Sequence, residues 1–169
     1  HGIRTAEALW SARRKCPELV IVRPHFDEYA RFSQAVRQIY LDYTSQIEPM
    51  SLDEAFLDVT GSRSLFGDGE TIAHTIRRRV KQELGLTVSV GVSFNKIFAK
   101  LGSHYKKPGA VSVFSRENYR ALVWPQPAAN LLYVGRATAK KLAGIGVHTI
   151  GDLAAADPAA LALLLGKMG

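Results

Sequence analysis

Stretches of helical periodicity separated by short β-branched runs narrow the fold more than any other feature of this chain. From 26 to 43 the apolar residues Tyr29, Phe32, Val36, Ile39, Tyr40 and Tyr43 recur at spacings of three and four. That is one face of an amphipathic helix of about five turns. From 70 to 84, Ile72, Ile76, Val80 and Leu84 recur at every fourth residue, and Gly85 is a natural C-terminal stop. The runs 47–50, 55–59, 86–92 and 110–114 are short, apolar and flanked by turn residues, as strands are. The pattern predicts an α+β fold with mostly antiparallel pairings and helices on one face of the sheet.

The connections sharpen this outline. A short helix is expected over 5–14, stopped by Pro17, and a strand over 19–22. Ser51-Leu52-Asp53-Glu54 separates two strand-like runs and reads as a hairpin turn, while Gly61, Gly67 and Gly69 mark the loop that follows. Ser93 and Asn95 offer N-caps for a helix over 96–105, and Pro108-Gly109 turns the chain into the strand 110–114. After a helix over 117–123, Trp124-Pro125-Gln126-Pro127 looks like a stiff linker. The composition then shifts to Ala, Leu and Gly, with short helices expected over 137–143, 150–155 and 158–165. The 169 residues suit roughly one domain of ~150 residues, with internal boundaries near 115 and near 25.

Apolar residues make up 47% and charged residues 22%, enough for a core and against disorder. The net charge is +7, which favours a polyanionic partner. Its distribution is uneven. Between 42 and 70 stand Asp42, Glu48, Asp53, Glu54, Asp58, Asp68 and Glu70 against Arg63 alone; between 77 and 107 stand eight bases against Glu83 alone. Two solvated surfaces or a cation site beside a phosphate-binding surface both satisfy that pattern. The single cysteine, Cys16, has no internal disulfide partner, as in a reducing cytosol, so a cytoplasmic location is expected. No apolar run approaches the ~20 residues that span a membrane. The start, His1-Gly2-Ile3-Arg4-Thr5, resembles neither a signal peptide nor a natural beginning, so the chain is expected to derive from something larger.

Asp53-Glu54 sits where a hairpin enters its second strand. Neighbouring side chains on a regular strand face opposite ways, but an irregular strand start lets both converge. The flanking Met50, Leu52, Ala55, Phe56 and Leu57 suggest a buried strand, at whose rim carboxylates need a compensating cation or base. Oxygen ligands of this kind suit Mg²⁺; an ordinary solvated turn is the alternative. Lys96 and Lys100 share a helix face, and Lys106-Lys107 close it, a set able to hold a triphosphate or a nucleic-acid backbone or simply to solvate a surface helix. Leu132 to Leu142 places Gly135 before a helix carrying Lys140 and Lys141, a phosphate grip or a plain helical packing unit. The five histidines and Cys16 are scattered without ligand spacing, which argues against zinc. No Gly-rich nucleotide loop or nucleophile elbow is present.

Taken together, Ser51-Leu52-Asp53-Glu54-Ala55-Phe56-Leu57-Asp58-Val59-Thr60 resembles the signature strand of the Y-family translesion DNA polymerases, in their DNA polymerase IV branch. Gly91-Val92-Ser93-Phe94-Asn95-Lys96-Ile97-Phe98-Ala99-Lys100, followed by Lys107-Pro108-Gly109, is similar to a second motif of that family. The segment from Val134 to Leu153 resembles its helix-hairpin-helix thumb, and Thr5-Ala6-Glu7-Ala8-Leu9 with Cys16-Pro17 the end of its fingers.

The resemblance implies a fragment with a remnant of fingers (1–25), most of a palm (26–115) and most of an all-helical thumb (116–169). It implies template-directed nucleotidyl transfer in lesion bypass, with two Mg²⁺ ions held in part by Asp53 and Glu54 as metal and catalytic residues. Lys107 would contact the incoming deoxynucleoside triphosphate. Lys96, Lys100, Gly135, Lys140 and Lys141 would grip primer–template DNA without reading sequence. A sliding clamp would be engaged through a region outside this chain. The family's first strand, with a further metal-binding Asp and the steric gate, is expected upstream of His1, and the little finger beyond the thumb, so the fragment alone is expected to be inactive. Two residues depart from the family pattern: Phe94, where some relatives carry a polar or basic residue, and Tyr133, where the thumb hairpin usually carries Gly. A relative that has lost catalysis and survives as a DNA-binding or partner-docking module is the competing expectation.

Overall fold

A computed structural model of the chain describes residues 1–166. In chain order its elements are α1 (Leu9–Lys15), α2 (Phe26–Leu41), β1 (Ile47–Pro49), β2 (Ala55–Leu57), α3 (Arg63–Phe66), α4 (Gly69–Leu84) and β3 (Val90–Ser93). There follow α5 (Lys96–Tyr105), β4 (Val111–Phe114), α6 (Tyr119–Leu122), α7 (Arg136–Gly144), α8 (Ile150–Ala155) and α9 (Pro158–Leu165), with single 3₁₀ turns at Thr60–Ser62 and Ala128–Asn130. The fold is α+β, with small sheets and covering helices.

The periodic faces of α2 and α4 meet each other. Ile39 and Tyr43 pack with Ile72, Ile76 and Val80, and Leu57, Val59 and Val88 from the strand side close the cluster. Arg79 on α4 donates to Glu83 at 2.6 Å and reaches Asp42, just after α2, at 2.7 Å, fixing the pair side by side. Gly85 ends α4 at φ +72, a left-handed conformation that glycine adopts without strain.

The strands form two separate two-stranded sheets. β1 and β2 are the antiparallel hairpin anticipated around residues 51–54, with Pro49 opposite Ala55. β3 and β4 instead run parallel, Val90 opposite Val111. This corrects the expectation of a mostly antiparallel sheet. The connection between them is a full helix, α5, and a helical crossover returns the chain in the same direction. Nor do the helices keep to one face. An added Cβ on Gly91 would lie 1.9 Å from the Ala99 carbonyl of α5, whereas Val92, the next residue, faces Gly69 of α4. Alternation along a strand therefore sandwiches β3 between two helices.

Four other expectations change. Residues 19–22 form no strand; Val20 and Val22 are exposed, and β propensity without a pairing edge makes no sheet. The first helix begins at Leu9, since Ala6 takes φ +62 in a turn closed by Glu7 N–H to the Arg4 carbonyl. β3 starts at Val90, later than 86. The Trp124–Pro127 segment is no free linker: Ile150 N–H donates to the Gln126 carbonyl and Gly151 N–H to that of Trp124, both at 2.9 Å.

A second cluster, Leu101, Phe114, Val123 and Ile150, runs from α5 and β4 through to α8, so one core crosses the position near 115. A third, Ala128, Leu142 and Val147, holds the last helices together. The final residues of the expected 116–169 unit, 167–169, lie outside the described residues.

Candidate functional site

The turn joining β1 to β2 carries the acidic pair. Met50 N–H and Ser51 N–H both donate to the Glu54 carbonyl, at 2.9 and 3.2 Å, which closes a tight loop over Ser51, Leu52 and Asp53. Both carboxyl residues belong to the lining of one cleft. Asp53 is exposed, and its Oδ1 accepts from the Ser51 hydroxyl at 2.7 Å. Glu54 is half-buried and accepts from Lys100 Nζ on α5.

The cleft has a volume of about 1030 Å³. Its lining comes from β2 and β3 and from α2 and α4, the helices contributing Phe32, Val36, Tyr40 and Ile72 among others. Lys107 stands at the same cleft, at the far end of α5. Its turn is held from two sides: Gly109 N–H donates to the Ser89 hydroxyl at 2.9 Å, and Arg77 Nη1 donates to the Gly109 carbonyl at 2.6 Å. The Asn95 side chain caps α5 by accepting from Phe98 N–H at 2.8 Å, and so fixes where the lysines of the helix start.

The fold thus brings Asp53, Glu54, Lys100 and Lys107 around one cleft. Lys96 is directed to Glu48 of β1 and lies 5.8 Å from the Phe56 ring centre. Gly135 belongs to a second, smaller cavity of about 490 Å³, whose lining also includes Lys100, His104 and Tyr133. Gly135 is the N-cap of α7 without any side-chain cap, and Lys140 and Lys141 are exposed along that helix. Tyr133, exposed before it, adopts φ +70, a conformation that costs a residue with a Cβ.

His104, not singled out from the sequence, also belongs here. It follows Lys100 by one helical turn and lines the smaller cavity with it. Partial burial, then the positive charges of Lys100 and Lys107, hold its pKa below the usual histidine value, with Glu54 opposing. Its i, i+4 spacing from Lys100 was the available signal. The Ser51–Asp53 and Lys100–Glu54 partnerships had none, because they depend on the turn and on a contact across 46 residues.

The chemical character of the cleft follows. The two carboxylates are hard oxygen ligands, the kind that suits Mg²⁺. The basic groups opposite suit phosphate oxygens. No helix of the described residues is long and apolar enough to cross a membrane.

Comparison with known proteins shows the family. The family described as impB/mucB/samB matches residues 1–104. DNA polymerase IV of Acetivibrio thermocellus is 51% identical over 169 residues, covering all of this chain and 42% of that protein. DNA polymerase IV of Halorhodospira halophila is 46% identical over 166 residues, 98% of this chain and 47% of that protein. The chain therefore spans somewhat less than half the length of these curated relatives. Among solved structures, an insertion ternary complex of Dbh DNA polymerase superposes with a TM-score of 0.88 at 25% identity, over 99% of this chain and 49% of that one. DinB from Sulfolobus solfataricus gives a TM-score of 0.86 at 24% identity, with the same coverage, and supports the fold.

Proposed function

The chain belongs to the impB/mucB/samB family, and we propose that it carries the metal-binding carboxylates and part of the DNA grip of a lesion-bypass, Y-family DNA-directed DNA polymerase. The observation that carries this reading is the meeting of Asp53, Glu54 and Lys107 at one cleft, from a hairpin turn and a helix end more than 50 residues apart.

Asp53 and Glu54 would hold divalent magnesium, which when bound lowers the pKa of a primer 3′-hydroxyl and neutralises triphosphate charge. This chain's own contributions are then positional. Ser51 orients the Asp53 carboxylate. Lys100 neutralises Glu54 until a cation does so, and Lys107 would contact the phosphates of the incoming nucleotide. The reaction joins the primer oxygen to the α-phosphorus and releases pyrophosphate. Lys96 and Lys100 beside the cleft, and Gly135, Lys140 and Lys141 on the far helices, would contact the DNA backbone and place the duplex without reading its bases. Residues 1–25, 26–115 and 116–169 would correspond to a remnant of fingers, a palm and a helix-hairpin-helix thumb. The cleft lined by β2 and β3 would be the place for the strand and third carboxylate that the family resemblance implies. A clamp contact would lie outside this chain.

The test is primer extension past a damaged template base by the full-length protein, with and without Mg²⁺. Extension that needs Mg²⁺ is expected. Intact DNA binding without any extension would instead make the protein a non-catalytic docking module.

A further inference from the structure

Sequence spacing argues against a zinc site, yet the fold gathers donors that are far apart in the chain. The ligand atoms of His1, Cys16 and Glu18 all lie within 4.8 Å of one another. They lie in the 1–25 segment, apart from the lining of the carboxylate cleft.

The gathering has identifiable causes. Cys16 is the C-cap of α1, its N–H bonded to the Ala12 carbonyl at 3.0 Å. Its own carbonyl accepts from Leu19 N–H at 3.1 Å, a turn through Pro17 that carries Glu18 back beside it. The other side of the arrangement is the segment His1–Gly2. Lys15 Nζ donates to the Gly2 carbonyl at 3.0 Å, which folds residue 1 over the end of α1. Lys15 is itself held by Glu7 at 2.8 Å, so the ammonium next to Cys16 is already engaged. The Glu7 carboxyl, bonded first by Lys15 and then by Ser11, is driven down to about 2 and stays charged to grip it. Cys16 is buried, at 7% exposure, and has no disulfide partner, while His1 and Glu18 are exposed.

We propose that His1, Cys16 and Glu18 form a binding site for a borderline-soft divalent cation, zinc above all, which staples the segment around His1 to the end of α1. One nitrogen, one sulfur and one oxygen donor match the ligands zinc takes, and a thiolate selects against Mg²⁺. A tetrahedral zinc holds its ligand atoms roughly 3.3–3.6 Å apart, from metal–ligand bonds of about 2.0–2.3 Å. Side-chain rotations on the two exposed residues close the remaining distance. Thiolate and carboxylate together balance the double charge, and water fills the fourth position.

The experiment uses the full-length protein, prepared without a histidine tag and titrated with Co²⁺. One equivalent should produce a thiolate-to-metal charge-transfer band and the visible bands of tetrahedral cobalt, and Zn²⁺ should displace it while Mg²⁺ does not. Cys16→Ser should abolish the charge-transfer band. His1→Ala and Glu18→Gln change exposed residues, so folding survives, and each should weaken binding on the order of tenfold or more. No band, or affinities unchanged in His1→Ala and Glu18→Gln, overturns the proposal. Neither result depends on primer extension, so it stands or falls separately from the polymerase reading.

Discussion

The Glu54 carboxylate accepts a hydrogen bond from the Lys100 ammonium, tying the hairpin that bears the acidic pair to the helix that bears the basic run. Lys100 is the more buried partner, with 14% of its side chain exposed against 35% for Glu54. A cation entering the cleft must share Glu54 with this lysine or displace it. Replacing Lys100 by Met keeps the length of the side chain and removes the competing charge. Mn²⁺ affinity, read from paramagnetic broadening of amide signals at residues 52–55, should then rise on the order of three- to tenfold. Unchanged broadening would mean that cations do not use Glu54.

In the full-length protein, Asp53→Asn or Glu54→Gln should abolish Mg²⁺-dependent synthesis while sparing DNA affinity. If the pair holds the catalytic metal as proposed, losing one carboxylate removes several kcal/mol of transition-state stabilisation, on the order of a thousandfold in rate. The check is single-turnover extension alongside a DNA-binding isotherm. Equal loss of both would make the pair structural.

His104 gives a pH handle on the same region. Its pKa, lowered by burial and then by Lys100 and Lys107, should be measured by NMR below the ordinary 6.5. Removing the Lys100 charge should raise it. The unfolded chain then binds the proton more tightly than the folded one, so stability falls as pH drops from about 6.5 through the folded value. A measured pKa above 6.5, or one indifferent to Lys100→Met, contradicts the arrangement.

What was readable in the chain beforehand follows a physical division. α2, α4 and α5 were legible because each has its own periodic face and, for the last two, a local start or stop: Asn95 caps α5 and Gly85 ends α4. The hairpin at 51–54 was legible for the same local reason. Residues 19–22 carry the composition of a strand, but a strand exists only by pairing, and no edge meets them. The parallel sense of β3 and β4 is set by the path of α5, not by the strands' own residues. At the site, Asp53, Glu54 and Lys107 stood out as residue types in suggestive places. Lys100 stood out as a base on one helix face, but its pairing with Glu54, and the places of Ser51 and His104, emerge only once the hairpin and α5 are packed together.

Gly91 is where that packing is least forgiving. A Cβ there would sit 1.9 Å from the Ala99 carbonyl oxygen and 2.5 Å from Ser103 N, both backbone atoms that no side-chain rotation can move aside. Gly91→Ala should therefore cost about 3 kcal/mol or more in urea denaturation and push α5, with Lys96 and Lys100, off the sheet. Gly144, which has open space around its added Cβ, is the control: Gly144→Ala, in the last turn of α7, should be neutral or stabilising. Equal effects at the two positions would mean that close approach to α5 is not what Gly91 provides.

Ile150 tests whether the helices after residue 115 stand alone. It is 5% exposed and shares a cluster with Leu101 of α5 and Phe114 of β4, so its methyl groups belong to the same core as the helix that lines the cleft. Ile150→Ala leaves a cavity in that core and should destabilise by about 3 kcal/mol. Because the cluster is continuous, the loss should be shared: hydrogen exchange should accelerate in α5 and β4 as well as in α8, within one cooperative unfolding transition. An independent helical unit would behave differently, with faster exchange confined to residues beyond 115 and two resolved transitions. The distinction bears on the proposed DNA grip, since a core continuous from α5 to α8 sets the lysines beside the cleft and those on α7 in one frame, whereas a hinge near 115 would let the two sets close on the duplex independently.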